Sequence, residues 1–478
     1  MNPLRFSRGA LCPAVLIIAG CSGSQAGTPA ATQQSSVGTQ HAHRGDSTTT
    51  SFTVSGRSIL LNGKPFYIKG VDYGNTQVDA YSDPNPLDNA NEPIWGPDLD
   101  AMRAAGVNAV KVYNVSLDSF KPYLPVLGDG NKLKAYETGK IDKFLDKAWN
   151  GGDRPIYVVL SIYFGGDNVL DPQFLKALKA VYELTSKAYA AYPAFMGFSE
   201  GSEINSEPLI KQPQWWAGLN QLADSIRIGY KATDSSKIVT TTMVDMVING
   251  ELATIVAGEK NHFAVDAWGI DSYRGYTFTS IWKQIKEATT KPEIMAEYGA
   301  SAARWTQSTA TYDETSHVCP KDTYPAGSFP PPNPAPYWGL PPGPPPPWEH
   351  VDELPASGNP NMQYLADQVT SNAEELYANS TGQGGVDSGG FYFEWNDEWS
   401  KSGWPHSHIG GFPGNVISPT PPFAGCYWDE AWFGLNLDRP VDRDYKWPGE
   451  GNPFPARPAD KHIPRPTLTA IQSVWAKE

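Results

Sequence analysis

KPEIMAEYG, Lys291 to Gly299, is the stretch from which the fold of this 478-residue chain can be read. Lys291–Pro292 follows the polar turn Thr289–Thr290, and Glu293 to Ala296 reads as a short strand. Glu297 arrives where that run ends, followed by Tyr298 and a breaking Gly299. A carboxylate at the C-terminal tip of a buried strand does little for stability, because acids are rarely buried without a purpose. In a barrel of alternating strands and helices, that end of the strands is where reacting groups sit. AFMGFSEGSE, Ala194 to Glu203, has the same form: an apolar run ending in a carboxylate, Glu203.

The rest of the chain repeats the alternation. Phe52–Val54 and Ile59–Leu61 flank a turn, and Asn62–Gly63 is a strong hairpin signal, so a small ribbon is expected on the barrel floor. Strands are expected at Tyr67–Tyr73, Asn108–Val115, Ile156–Phe164, Ala194–Glu203, Lys237–Met246, Val265–Tyr273, Glu293–Glu297 and Gly389–Trp399. Helices are expected between them, at Pro97–Ala105, at Ile141–Trp149, from Asp171–Pro172 onward, through Trp215–Tyr230, around Ile281–Ile285 and over 361–378. Eight strands in this rhythm imply an α/β fold, a (β/α)8 TIM barrel closed by a parallel sheet. The rhythm breaks after the seventh strand, where 302–358 form a long proline-rich insertion that would wall the face holding Glu297.

Composition bounds the partners. A net charge of −14 argues against nucleic acid, which needs a basic face. The 16 Trp and 23 Tyr suit a surface that stacks on sugars, although most are expected in the core. Residues 1–21 read as a leader, with Arg5 and Arg8 before the apolar run Leu11–Ile18, too short to span a bilayer. That run ends Ile18-Ala19-Gly20-Cys21, which resembles a bacterial lipobox and implies cleavage before Cys21 and lipid on its sulfur. Residues 22–50 form a polar tether reaching roughly 30 Å, and 51–478 form the barrel domain. The expected address is the cell envelope, lipid-anchored at the outer membrane or cell surface, with a monomeric chain. Cys319 and Cys426 lie in excursions after strands seven and eight and are expected to pair in that oxidising compartment. His406 and His408 sit in a Gly/Pro/Ser loop without the partners of a metal site, so neither metal nor cofactor is expected.

Two carboxyl groups at strand tips are the minimum equipment for glycoside hydrolysis. One protonates the leaving oxygen and the other attacks the anomeric carbon; about 5–5.5 Å between them gives retention by double displacement. Like charges that close push one pKa up and keep the acid protonated. Glu200, three residues before Glu203, is the competing candidate and is expected within the strand, not at its tip.

The positions of these acids resemble glycoside hydrolase clan A, with the acid/base ending strand four and the nucleophile ending strand seven. FYIKGVDY (Phe66–Tyr73), AGVNAVKVYNV (Ala105–Val115), GFSEGSEIN (Gly197–Asn205), KPEIMAEYG and SGGFYFEW (Ser388–Trp395) resemble the family 72 β-1,3-glucanosyltransferases. DEAWFGL (Asp429–Leu435) looks more like bacterial family-2-type catalytic barrels. The resemblance covers roughly 60–400 and implies Glu203 as acid/base and Glu297 as nucleophile. It implies Tyr273 as the tyrosine bonded to the nucleophile, and Tyr73 and Asn114 as lining residues of the subsite. Trp395 or Trp399 would be the platform under the sugar. The chain departs from the pattern in three respects: Ser202 stands where an asparagine normally holds the sugar 2-hydroxyl, Lys111 stands where an arginine is usual, and cysteines are few where the fungal relatives have several disulfides. The expected activity is a retaining hydrolase or transglycosylase on β-glucan, β-1,3 favoured. A mannanase or cellulase on the same barrel, or a non-catalytic polysaccharide-binding lipoprotein, are the alternatives.

Overall fold

The protein is described by a computed structural model covering residues 50–77, 86–113, 123, 126, 140–162, 164–247, 250–262, 264–300, 362–402, 432–439 and 459–477. All belong to one unit, Thr48–Glu478. Cys21, Asn114, Cys319, Cys426, His406, His408 and the proline-rich insertion 302–358 lie outside the described residues.

The chain opens with a three-stranded antiparallel sheet, β1 (Phe52–Ser55), β2 (Ser58–Leu61) and β3 (Lys64–Pro65). Asn62 and Gly63 join β2 to β3 with φ of 51° and 78°. Positive φ at both central residues is the demand of a tight hairpin turn, and Asn-Gly meets it.

Then come the barrel strands: β4 (Ile68–Asp72), β5 (Ala109–Val112), β6 (Tyr157–Ser161), β7 (Phe195–Glu200), β8 (Ile238–Thr241), β9 (Met243–Val244), β10 (Trp268–Asp271), β11 (Glu293–Tyr298) and β12 (Asp387–Tyr392). β8 and β9 are two halves of one position, interrupted at Thr242, so nine segments make eight staves. Neighbours pair in parallel from β8 through β4 to β12, β11, β10 and β9. The Thr240–Ala267 bridge joins β8 to the entry of β10 and closes the ring. Helices follow the strands, as expected for parallel crossovers.

Strand alternation divides the core. Val110, Val112, Trp268, Ile270, Met295 and Tyr298 face the helices. Ile68, Ala109, Val159, Met196, Ile238, Ile294 and Phe391 face inward, and Phe52 and Ile59 of the opening sheet close this layer from below. The expected floor is therefore present, and the opposite, C-terminal mouth is left for polar side chains.

Most elements fall where the sequence placed them. The first helix is longer, Glu92–Ala105, with Pro93 in its first turn and Pro97 carried inside it. The helix Pro172–Tyr189 starts as expected: Asp171 accepts from the backbone N–H groups of Gln173 and Phe174 at 2.8 and 3.3 Å. The chain ends with the antiparallel pair β13 (Asn436–Arg439) and β14 (Lys461–Pro464) and the helix Pro466–Trp475.

Candidate active site

The same alternation aims the mouth residues. In β4, Ile68 faces inward and Val71 outward, so Asp72 faces inward. In β5, Ala109 faces inward, which sends Lys111 and then Tyr113 to the interior. In β10, Trp268 and Ile270 face the helices, so Asp271 and then Tyr273 face the mouth. β11 needs a correction to strict alternation. Its outward residues, Met295 and Tyr298, are three apart, and its register against β12 slips between them. That irregularity turns Glu297 inward.

Glu297 is held from three sides. Tyr113 donates its hydroxyl to Oε1, and Tyr273 donates to Oε2 at 2.7 Å. The Lys111 ammonium lies 3.5 Å from Oε1 and 3.4 Å from Asp72 Oδ1, and donates to the carbonyl of Ala296 at 2.7 Å. Burial works against the lysine's charge, but Asp72, Glu297 and Asp271 outweigh it and hold the ammonium above its ordinary range. Burial, then Asp72 and Glu297, raise Tyr113; burial and Glu297 raise Tyr273. Both phenols therefore stay O–H donors. Glu297 is only 8% exposed. Its near burial and its fixed oxygens suit a group that attacks along one line.

Glu203 is placed differently. β7 ends at Glu200, and Glu203 stands three residues beyond it, exposed, in a turn. Its φ is +50°, a left-handed conformation that costs a non-glycine residue roughly 1–2 kcal/mol. The turn is anchored by Ser161 and Ser199, which donate to the carbonyl of Gly201 at 3.1 and 3.3 Å. Ser202 is buried beside it. The charge of Glu203 acts on Asp271, raising its carboxyl after burial and Glu297, while Lys111 lowers it.

Glu200 points elsewhere. It is the last residue of β7, fully buried, and the groups that act on it are Arg227, Ala223 and Asp224 of the helix Pro213–Ala232. It belongs to the layer between barrel and helices, and the expectation is corrected: the strand ends at Glu200, not at Glu203, which lies in the loop beyond it.

Other expected lining residues are placed as follows. Tyr73 follows inward Asp72 and so turns outward, fully buried, donating to Asp98 Oδ2 at 2.6 Å. Trp395 packs in the helix-facing core, and Trp399 is also buried, at 1% exposure. The aromatic rings beside Glu297's tyrosines are Phe393 and Phe433, 6.4 Å from Tyr113 and 5.7 Å from Tyr273 between centroids. Gly299 permits this approach: a Cβ there would stand 2.4 Å from the carbonyl oxygen of Phe393. Asp72, Tyr113, Asp271, Phe393 and Phe433 were not picked out by motif; inward parity along β4, β5, β10 and β12 is the signal that finds the first four.

No protein-family model matches the chain, and no curated relative does. Solved structures do align with it. The β-D-glucuronidase of Dictyoglomus thermophilum is 11% identical at a TM-score of 0.49, over 90% of this chain and 54% of its own. The GH2 β-galacturonidase of Eisenbergiella tayi is 10% identical at 0.49, over 90% and 54%. The β-glucuronidase of Bifidobacterium dentium is 12% identical at 0.48, over 89% and 49%. The chain spans about half the length of these neighbours. A likeness of this size does not bear on activity, and the barrel rests on the strand register described above.

Proposed function

We propose that the chain is a retaining β-glycosidase or transglycosylase, with Glu297 as nucleophile and Glu203 as acid/base. One observation carries the reading: a nearly buried carboxylate at the tip of the seventh stave, gripped by Tyr113, Tyr273 and Lys111, with a solvent-exposed carboxylate three residues past the end of the fourth. A nucleophile needs a fixed line of attack, whereas an acid/base must exchange protons with water and leaving group. The two environments divide along those needs. In the reaction Glu297 forms a glycosyl ester as Glu203 gives its proton to the leaving oxygen. Glu203 then takes a proton from the incoming water or sugar hydroxyl, and the ester breaks.

β-Glucan is the proposed substrate, with β-1,3 linkages favoured by the resemblance of the strand-tip motifs to family 72. Phe393 and Phe433 supply apolar faces beside the mouth, and we assign the platform role to them ahead of Trp395 and Trp399. Attachment through lipidated Cys21 and a Cys319–Cys426 bridge are proposed from sequence alone. Among the described residues, no helix is long and apolar enough to cross a membrane. Turnover of laminarin or an aryl β-glucoside, abolished by Glu297→Gln, tests the reading. A well-folded wild-type protein that binds glucan and turns over no glycoside of any linkage would make it a binding protein instead.

A further inference from the structure

Under the mouth, the acids outnumber the bases. Asp72, Asp271 and Glu297 are all buried, at 0%, 3% and 8% exposure, and Lys111 is the ammonium among them. Two of the three acids face the lysine, although Asp72, like Asp271, receives no hydrogen bond among the described residues. Lys111 lies 3.4 Å from Asp72 and 3.5 Å from Glu297, and Glu297 also receives both tyrosine hydroxyls. Asp271 has neither: both its carboxyl oxygens are buried and lack a hydrogen-bond partner among the described residues. Yet it is the nearest strand neighbour of the nucleophile. The parallel register pairs Asp271 with Glu297, and the N–H of Ser272 donates to the carbonyl of Glu297 at 2.9 Å.

Two negative charges on facing residues of adjacent strands, both out of water and with one ammonium that Asp72 also shares, cannot coexist cheaply; such pairs keep a proton between them. Position decides which acid keeps it. Glu297 is surrounded by donors that a carboxylate needs, and Asp271 is surrounded by charge of its own sign. We propose that Asp271 is a positioning residue, standing beside Glu297 as a neutral carboxylic acid so that Glu297 keeps the two hydroxyls and its share of the lysine. This rests on the reading of Glu297 as nucleophile.

The groups facing Asp271 agree. Burial, then Glu297, Glu203 and Asp72 push its carboxyl well above the ordinary range, with Lys111 opposing. β9, on its other side, brings no free charge: Asp245, just past it, is bound by Arg274 and Ser272, each at 2.7 Å. Ionised Asp271 would compete for Lys111 and for the Tyr273 hydroxyl, loosening the grip on Glu297. Activity should therefore fall at alkaline pH for a reason separate from Glu203.

The test uses kcat/KM for a 2,4-dinitrophenyl β-glycoside in a Glu203→Ala background. That leaving group needs no protonation, so Glu203 does not shape the profile. The expected result is an alkaline limb that Asp271→Asn, which mimics the neutral acid, moves up by about one pH unit or more, one unit being about 1.36 kcal/mol. An unmoved limb, or no limb at all, overturns the proposal. So does a collapse of neutral-pH kcat/KM in Asp271→Asn with unchanged Tm, since that would show the charge is needed. Infrared spectra give a second check that does not depend on the variant's activity. The wild-type protein at neutral pH should show the C=O stretch of a protonated carboxyl that Asp271→Asn or Asp271→Ser lacks; an identical band in all overturns it. Failure of the enzyme reading looks different: wild type would then be inert toward every aryl glycoside.

Discussion

At the scale of single residues, Tyr273 and Lys111 do separable work. Tyr273 donates one hydrogen bond to a carboxylate, a contact worth about 1.5–3 kcal/mol. If that bond aligns Glu297 for attack, Tyr273→Phe should lower kcat about 10–100-fold while KM for an aryl glycoside changes little. A loss confined to KM would assign the hydroxyl to substrate binding. Lys111 holds two buried acids, so Lys111→Met should destabilise the fold by about 3–5 kcal/mol in urea titrations, as removal of one buried partner does. A change below about 1 kcal/mol would mean that the ion pairs are not formed. Sequence could name Glu297, Tyr273 and Lys111 because each sits at or near the end of a strand, and Glu203 because it follows one, three residues past its end. It could not show that Tyr113 is the second hydroxyl on Glu297, since that contact spans 184 positions and depends on barrel closure.

At the scale of elements, legibility followed the alternation of the strands and failed where alternation stops. Eight staves, the floor hairpin and the capped helix at Asp171 were readable from local pattern, because each is fixed by neighbours in sequence. Parity along β4 could have turned Tyr73 outward, since Asp72 faces in. Parity could not have placed Glu297, whose register slips against β12, nor Trp395, which parity from Phe391 would have sent inward. The staves are also braced at their tips. Asp245, just after β9, takes Arg274 in a two-point bond at 2.7 Å each and takes Ser272 as well. Arg274 adjoins Tyr273, so this brace fixes the direction of the phenol. Asp245→Asn should therefore weaken activity through Tyr273: combined with Tyr273→Phe, it should cost less than it does alone. Full additivity in that double-mutant cycle would disconnect the brace from the site.

At the scale of the whole molecule, the chain's last segment is tied back onto the first stave and its helix. His462 of β14 lies 2.8 Å from Asp98 Oδ1 and bonds Asp438 of β13; Tyr73 takes the other oxygen of Asp98. Nearby, Arg465 clasps Asp397. Burial opposes a charge on His462, but Asp438 and Asp98 outweigh it and hold the imidazolium well above its usual range. A histidine raised in the folded state contributes stability that is complete below its unfolded pKa, near 6.5, and is lost as pH rises through the folded value. The gap in Tm between wild type and His462→Gln should narrow as the solution turns alkaline, and also below about pH 6, where Asp438, pushed up by burial to about 6, takes up a proton. A gap independent of pH would show that the histidine is neutral.

Everything functional in this account depends on Glu297 being the group that bonds to the sugar, and azide reads that directly. Azide needs no deprotonation and attacks from whichever face a missing carboxylate has vacated. With an activated aryl β-glycoside and azide, Glu297→Ala should yield the α-glycosyl azide and Glu203→Ala the β-glycosyl azide, distinguished by proton NMR at the anomeric position. A β-azide from Glu297→Ala, or azide rescue found only in a Glu200 variant, would contradict the assignment.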